Sequence, residues 1–266
     1  MENVLFIEQF VDLKFWQPRF KRLYFGAEFC QRLIPSPARL EKALEFCRAK
    51  NIKFSLVTPL VTNQGLAQLK PLFKIISEFD GEKEVVVNDW GVLHFLTKHY
   101  NFFSLVLGRL LNKQKRDPRI KQFWPKWPRE AKKYFKLALG ESLFTAGLFK
   151  PFKLNRIELD NLLQGIKRQN LRVKASLYYP FVYLSTTRYC LTAMAFSQET
   201  FKRKTSFLCE RNCRKHHFSF TSKDMPVKIY LIGNTQFIKN EKLPNKEKLK
   251  SLNIDRLVYK PENVTC

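Results

Sequence analysis

The chain has 266 residues, enough for one large domain or two small ones. Hydrophobic residues make up 45% of it, with 25 Phe among them, which excludes a disordered or low-complexity chain and calls for a large aromatic core. Lys and Arg number 48 against 23 Asp and Glu, and a net charge of +25 either attracts polyanions or reflects a Lys-rich background spread along the chain.

At the start, "MENVLFIEQF" has an early Glu, no basic flank and a short apolar stretch, so no secretory leader is expected. The run "FFSLVLGRLL" is interrupted by Arg109 and is too short to span a bilayer. Cytoplasmic residence is the expectation, and there thiols stay reduced. In chain order, "RLYFGAEF" reads as a strand and "SPARLEKALEFCRAK" as a helix with apolar positions at helical spacing. "IKFSLVTP" is a strand, "NQGLAQLKPLFKIISEF" a helix, "EKEVVVND" a strand, "WGVLHFLTKH" a short helix and "FSLVLGR" a fourth strand. A long basic insertion, at about 113–136, precedes "NRIELDN", "RVKASLYYPFVYLS", "VKIYLIGNTQF" and "DRLVYKP". Eight strand-like runs, mostly alternating with helices, predict an α/β chain folded as one irregular, TIM-like (β/α) barrel domain.

Polar residues gather where these strands end: Glu28 and Cys30, Thr58, Asn88 and Asp89, Arg109, Asp160 and Asn161. In a barrel those ends share one face, where active sites are built, although a polar strand end is also an ordinary turn signal. Cys190, Cys209 and Cys213 follow the sixth strand, and Cys30 follows the first, so four sulfurs can meet on one rim. Four thiols suit zinc or an iron–sulfur cluster, and the alternative is a set of unrelated free cysteines. The cations Arg188, Arg211, Arg214 and Lys215 are expected to lower the thiol pKa values. Cys47 sits on the apolar face of a helix and reads as a core residue; Cys266 is the last residue; His216 and His217 read as solvated.

The stretches "LYFGAEFC", "VTPLVTNQGL", "VVVNDWGVL", "LGRLLNKQKRDPR", "NRIELDNL", "STTRYC", "CERNC" and "IGNTQF" together resemble peptidase family U32, the collagenase-like group. That group includes oxygen-independent hydroxylases of ubiquinone synthesis and of RNA bases. The resemblance covers nearly the whole chain. It implies an irregular β/α barrel and a 4Fe–4S cluster held by Cys30, Cys190, Cys209 and Cys213. It also implies a small-molecule oxygen donor, with Glu28, Asn88, Asp89 and Asp160 as candidate catalytic residues that position donor and acceptor. A longer family paralogue is a possible partner in a heterodimer, and RNA a possible substrate. No Ser or Cys nucleophile pairs with a nearby His, and no His-Glu-x-x-His motif occurs, so peptidase activity ranks last.

The insertion "KRDPRIKQFWPKWPREAKKYFK" mixes cations with aromatic rings. That composition suits single-stranded nucleic acid, with phosphates on Lys and Arg and bases on rings. The competing reading, favoured here, is a lid or substrate arm at the rim that packs its Trp residues on the barrel.

Overall fold

The computed structural model describes residues 1–145, 147, 149–196 and 209–261. Among the described residues, twelve strands form two sheets: β1 (Glu2–Ile7), β2 (Arg22–Gly26), β3 (Lys53–Thr58), β4 (Glu84–Val87), β5 (Ser104–Leu107), β6 (Arg156–Asp160), β7 (Lys174–Tyr179), β8 (Phe181–Thr186), β9 (Phe218–Ser222), β10 (Met225–Ile232), β11 (Thr235–Lys239) and β12 (Ile254–Tyr259). A closed, all-parallel barrel runs β1-β12-β7-β6-β5-β4-β3-β2. A second, antiparallel sheet has the order β8-β11-β10-β9.

The predicted barrel stands, with two changes of membership. β1 belongs to it, although the sequence reading used this segment only to judge a leader. "VKIYLIGNTQF" does not: it is the hairpin β10–β11, turned by Gly233 and Asn234, with Gly233 at φ +65°. Gly-Asn between two apolar runs is a two-residue hairpin signal. "RVKASLYYPFVYLS" is also two strands. Pro180 has no N–H for a ladder, and there the chain leaves the barrel as β7 and enters the second sheet as β8.

The helices follow their patterns. α1 (Pro37–Lys50) opens with Pro at its first position, buries Leu40, Ala43, Leu44 and Cys47, and ends at Asn51 in the left-handed region. α2 (Asn63–Glu78) buries Leu69, Leu72, Phe73 and Ile76. α3 (Trp90–His99) is capped by Asp89, whose Oδ1 accepts the Val92 N–H at 3.0 Å. These faces and the outward sides of the strands make the main core, while Val4, Phe6, Tyr24, Val57, Val86, Val106, Tyr178 and Val258 fill the barrel lumen. Cys47 is fully buried in the main core, as expected.

β5 and β6 pair through only Val106–Arg156 and Leu107–Ile157. Beyond that point side chains take over the seam. Asn112 Nδ2 donates to the Glu158 carbonyl at 2.8 Å, and the Asp160 N–H donates to Gln114 Oε1 at 2.7 Å. The basic insertion follows as α4 (Ile120–Phe123), a 3-10 turn and α5 (Arg129–Phe135), and then α6 (Leu139–Thr145) leads toward β6. Gln164 Nε2 donates to the carbonyls of Lys115 and Phe135, and Gln122 Nε2 to that of Asp224 in the β9–β10 turn. The arm therefore borders the carboxyl rim of the barrel.

Candidate functional site

A cavity of about 360 Å³ opens on this rim, between the loops after β1 and β2 and the near end of the second sheet. Cys30, Cys190, Cys209 and Cys213 all line it. They arrive on three separate segments. Cys30 precedes a 3-10 turn (Gln31–Leu33) after β2. Cys190 caps the short helix α7 (Leu191–Ala195), its sulfur accepting the Ala193 N–H at 3.4 Å. Cys213 lies in a 3-10 turn (Asn212–Arg214) that follows Arg211 in the left-handed region, and Cys209 stands just before it.

The β10–β11 turn holds these segments together. Asn234 Nδ2 donates to the Phe29 carbonyl at 3.0 Å, beside Cys30, and to the Thr187 carbonyl at 2.7 Å, near Cys190. The Gly233 carbonyl accepts from Thr192 N–H at 3.1 Å and Oγ1 at 2.9 Å. A Cβ on Gly233 would stand 3.4 Å from Cys213 Cβ, and the positive φ independently favours glycine. "IGNTQF" is thus the clasp of the cysteine site.

Burial pushes the Cys30 thiol up to about 11, against the pull of the Arg32 backbone N–H, with further upward pressure from Cys190 and Cys209. Burial pushes Cys213 up to about 12, reinforced by Cys190, Cys30 and Glu8. Cys190 is raised by burial as well. The expectation that neighbouring cations lower these thiols is therefore corrected for these three: desolvation and mutual repulsion outweigh Arg188, Arg211, Arg214 and Lys215. Arg214 is itself lowered, by burial and then by Arg211 and Arg39. All of the cysteines among the described residues are free, and Cys266 lies outside them.

The donor chemistry suits a soft metal centre, because buried, mutually repelling thiols lose their protons only to a strongly positive neighbour. Four thiols on one cavity wall are a donor set of the kind soft metals take. Among the described residues, however, no group of three or more His, Cys, Asp or Glu side chains is placed to hold a single metal ion.

None of the four strand-end polar candidates lines the cavity. Glu28 and Asp160 are fully buried, and Arg109 lies between them. Its Nε and Nη2 reach Glu28 Oε1 and Oε2 at 2.7 and 2.5 Å, and its Nη1 reaches Asp160 Oδ1 at 2.6 Å. The guanidinium carbon lies 3.9 Å from the Tyr178 ring centroid, and Arg116 closes on Asp160 Oδ2 from the arm. Burial alone would lower Arg109, but Glu28 and Asp160 reverse that and hold it well above its ordinary range. Asn88 bridges the Thr58 carbonyl and the Leu110 N–H, at 3.1 Å each. Asp89 caps α3 and accepts the Val61 N–H. Their polar atoms hold the rim in shape. His217, read as solvated, is half-buried on the cavity wall, with Nε2 at 3.0 Å from the Cys213 carbonyl.

Sequence reasoning missed Glu8, Asp12 and Lys260, which line the same cavity. Lys260 Nζ lies 3.0 Å from Glu8 Oε1 and 4.9 Å from the Phe6 ring centroid. Both follow barrel strands, β1 and β12, so the strand-end signal used elsewhere would have found them. The arm lies beside the rim, but none of residues 113–136 lines the cavity, so it does not cover the thiols.

No family model and no curated protein matches this chain. Solved structures similar to it include the following two. One is the U32 peptidase Mk0906, at 12% identity over 98% of this chain and 92% of that one, with a TM-score of 0.48. The other is a glycoside hydrolase family 18 N-acetylglucosaminidase from Paenibacillus barengoltzii, at 7% identity over 99% and 96%, with a TM-score of 0.42. Among the described residues, no helix is long and apolar enough to cross a membrane.

Proposed function

We propose that the chain is an iron–sulfur protein whose Cys30, Cys190, Cys209 and Cys213 hold a 4Fe–4S cluster beside a small-molecule cavity. In this reading it is an oxygen-independent hydroxylase-like oxidoreductase, or the partner subunit of one. The observation that carries the reading is the convergence of four thiols, from three distant segments, on one cavity wall. When bound, such a cluster supplies electron transfer or an iron that polarises a ligand. The chain's own residues do the rest. Phe6, Phe29 and Phe237 give the cavity a dry floor, Lys260 and Arg214 offer cations to an anionic group, and Glu8 holds Lys260 in place. A peptidase is not favoured: Cys30, Cys190 and Cys213 are held protonated, and His217 faces a carbonyl rather than a thiol.

A second reading, modification of RNA, draws support from the +25 charge and from the basic arm at the edge of the same rim. It changes the substrate and leaves the site as it is. Association with a longer relative is compatible with both.

Purification without oxygen, followed by iron analysis and an absorption spectrum, tests the reading. The native chain should be brown, with about four iron atoms per molecule as expected of a 4Fe–4S centre. Each of Cys30→Ala, Cys190→Ala, Cys209→Ala and Cys213→Ala should lose the colour and most of the iron, and Cys47→Ala should keep both. A chain that stays iron-free after anaerobic reconstitution, or one in which Cys47→Ala loses iron like the rest, overturns it.

A further inference from the structure

The geometry points to a second binding surface outside the cavity: the exposed face of the arm, with the cleft beside it, is a track for single-stranded nucleic acid. Residues 113–136 carry ten Lys and Arg against Asp117 and Glu130. Within the arm, Trp127 packs on Phe135 at 4.4 Å and lies parallel to Phe123, at 8° and 6.5 Å. This small internal core leaves Phe123 39% and Tyr134 58% exposed. Lys115 Nζ sits 3.8 Å from the Tyr134 ring centroid, and Arg119 lies over Phe123 at 5.7 Å. Rings of this kind, among cations and fixed by their own packing, give unstacked bases a platform.

A shallow cleft of about 480 Å³ lies against the same arm, lined by Lys133, Leu137, Ser142, Lys167, Arg168 and Gln169. Arg168 is buried and tied to Glu141, so Lys133 and Lys167 are the exposed charges lining the cleft, and among the described residues no carboxylate lines it. The Lys167 N–H donates to the Lys136 carbonyl at 3.0 Å, which joins the loop after β6 to the arm. Phosphates fit the cleft, and bases fit Tyr134 and Phe123 on the neighbouring helices. A duplex hides its bases from such rings, so the strand must be single. The surface does not depend on the cluster, because no residue of the arm lines the cysteine cavity.

The test is fluorescence anisotropy of the full chain with fluorescein-labelled oligouridine, duplex RNA and phosphatidylserine vesicles. Oligouridine should bind more tightly than duplex or vesicles, with affinity falling steeply as salt rises. The double variant Lys133→Glu with Lys167→Glu should bind oligouridine roughly tenfold more weakly and with a shallower salt slope. Phe123→Ala and Tyr134→Ala should each weaken binding several-fold with the slope unchanged. The control, Lys42→Glu with Lys74→Glu on the exposed faces of α1 and α2, makes the same change in net charge and should shift binding less than about twofold. Circular dichroism checks folding, and Lys133→Gln with Lys167→Gln replaces the reversal if that variant unfolds. Equal weakening by the control would show diffuse attraction and overturn the proposal. So would no oligouridine binding, or tighter binding of duplex or vesicles that the ring variants leave unchanged. Iron content is unaffected in every arm, so failure here is distinct from failure of the cluster reading.

Discussion

Glu28 and Cys30 are two residues apart on the same loop, yet they meet opposite surroundings. Glu28 is fully buried and shares the Arg109 guanidinium with Asp160, while Arg116 supplies a further charge to Asp160 from outside. Two carboxylates and two guanidiniums close on one another, and the cluster requires nothing further. Cys30 turns into a cavity with three other thiols, of which Cys190 and Cys213 are also held protonated. As neutral thiols they need no counter-ion, and all four line the cavity. A side chain whose partners are complete builds the rim, and one whose chemistry is left open faces a ligand.

The largest expected effect breaks the closed half of this comparison. Arg109→Met leaves Glu28 buried without its cation and Asp160 with Arg116 alone. Removing one partner from a buried pair costs about 3–5 kcal/mol, and here one cation serves two carboxylates. Typical domains hold only about 5–15 kcal/mol of stability in total, so Arg109→Met should lose most of its soluble yield or move its urea midpoint far down. Cys30→Ala, as apoprotein, should stay close to the parent in the same titration. A variant Arg109→Met that folds normally but loses function would place Arg109 in the active machinery and dissolve the contrast.

How much of this was legible in the sequence depends on how local each signal is. α1, α2 and α3 were readable because their apolar spacing, Pro37 and Asp89 act within a few residues. The four cysteines were found by type and by their place after strands. The pairing of Glu28 with Arg109 was not readable, because the partners are 81 residues apart and meet only once β2 and β5 share a barrel. β8, β10 and β11 read as barrel strands for the same reason. A buried strand has the same composition in either sheet, and only Pro180 and the Gly233–Asn234 turn marked the departure. The sulfur pKa values went the wrong way because sequence proximity to Arg says nothing about burial.

A second, smaller effect sharpens the comparison from within the barrel. Glu158 is fully buried, with Oε1 accepting from Tyr24 at 3.0 Å, while Oε2 and the nearby Tyr178 hydroxyl have no partner among the described residues. Burial raises its pKa to about 7, partly offset by Arg256 and Arg156 and reinforced by Glu84. The folded value lies above the unfolded one, near 4.5, so the folded chain keeps a proton that the unfolded chain releases. Stability from this group is therefore fully present below about pH 4.5 and is lost as pH rises through 7, by up to about 3 kcal/mol. Glu158→Gln should flatten that slope and gain stability above pH 7, because its amide can donate where Oε2 stands alone. Urea titrations of both proteins at pH 5.5 and 8 measure it, and equal slopes would mean that Glu158 stays ionised in the fold.

The smallest effect on stability falls on the clasp between the two environments. Asn234 Nδ2 joins the loop carrying Cys30 to the segment carrying Cys190, through the carbonyls of Phe29 and Thr187. Asn234→Ala removes both hydrogen bonds and leaves two carbonyls short of a donor, a loss of about 1–2 kcal/mol. The network around Arg109 is untouched, so the barrel should remain folded. The thiols, though, lose the tie that sets them on one wall. Partners that orient a ligand without touching the metal commonly govern about 10–100-fold in metal affinity, so iron retention during anaerobic dialysis should fall well before folding does. Asn234→Asp is the sharper variant: its carboxylate keeps the shape but faces two carbonyls with no N–H to give. It should bind iron less well than Asn234→Ala. If both variants keep iron as firmly as the parent, the cysteine segments are positioned by their own turns, and Asn234 belongs with Asn88 among the residues that only shape the rim.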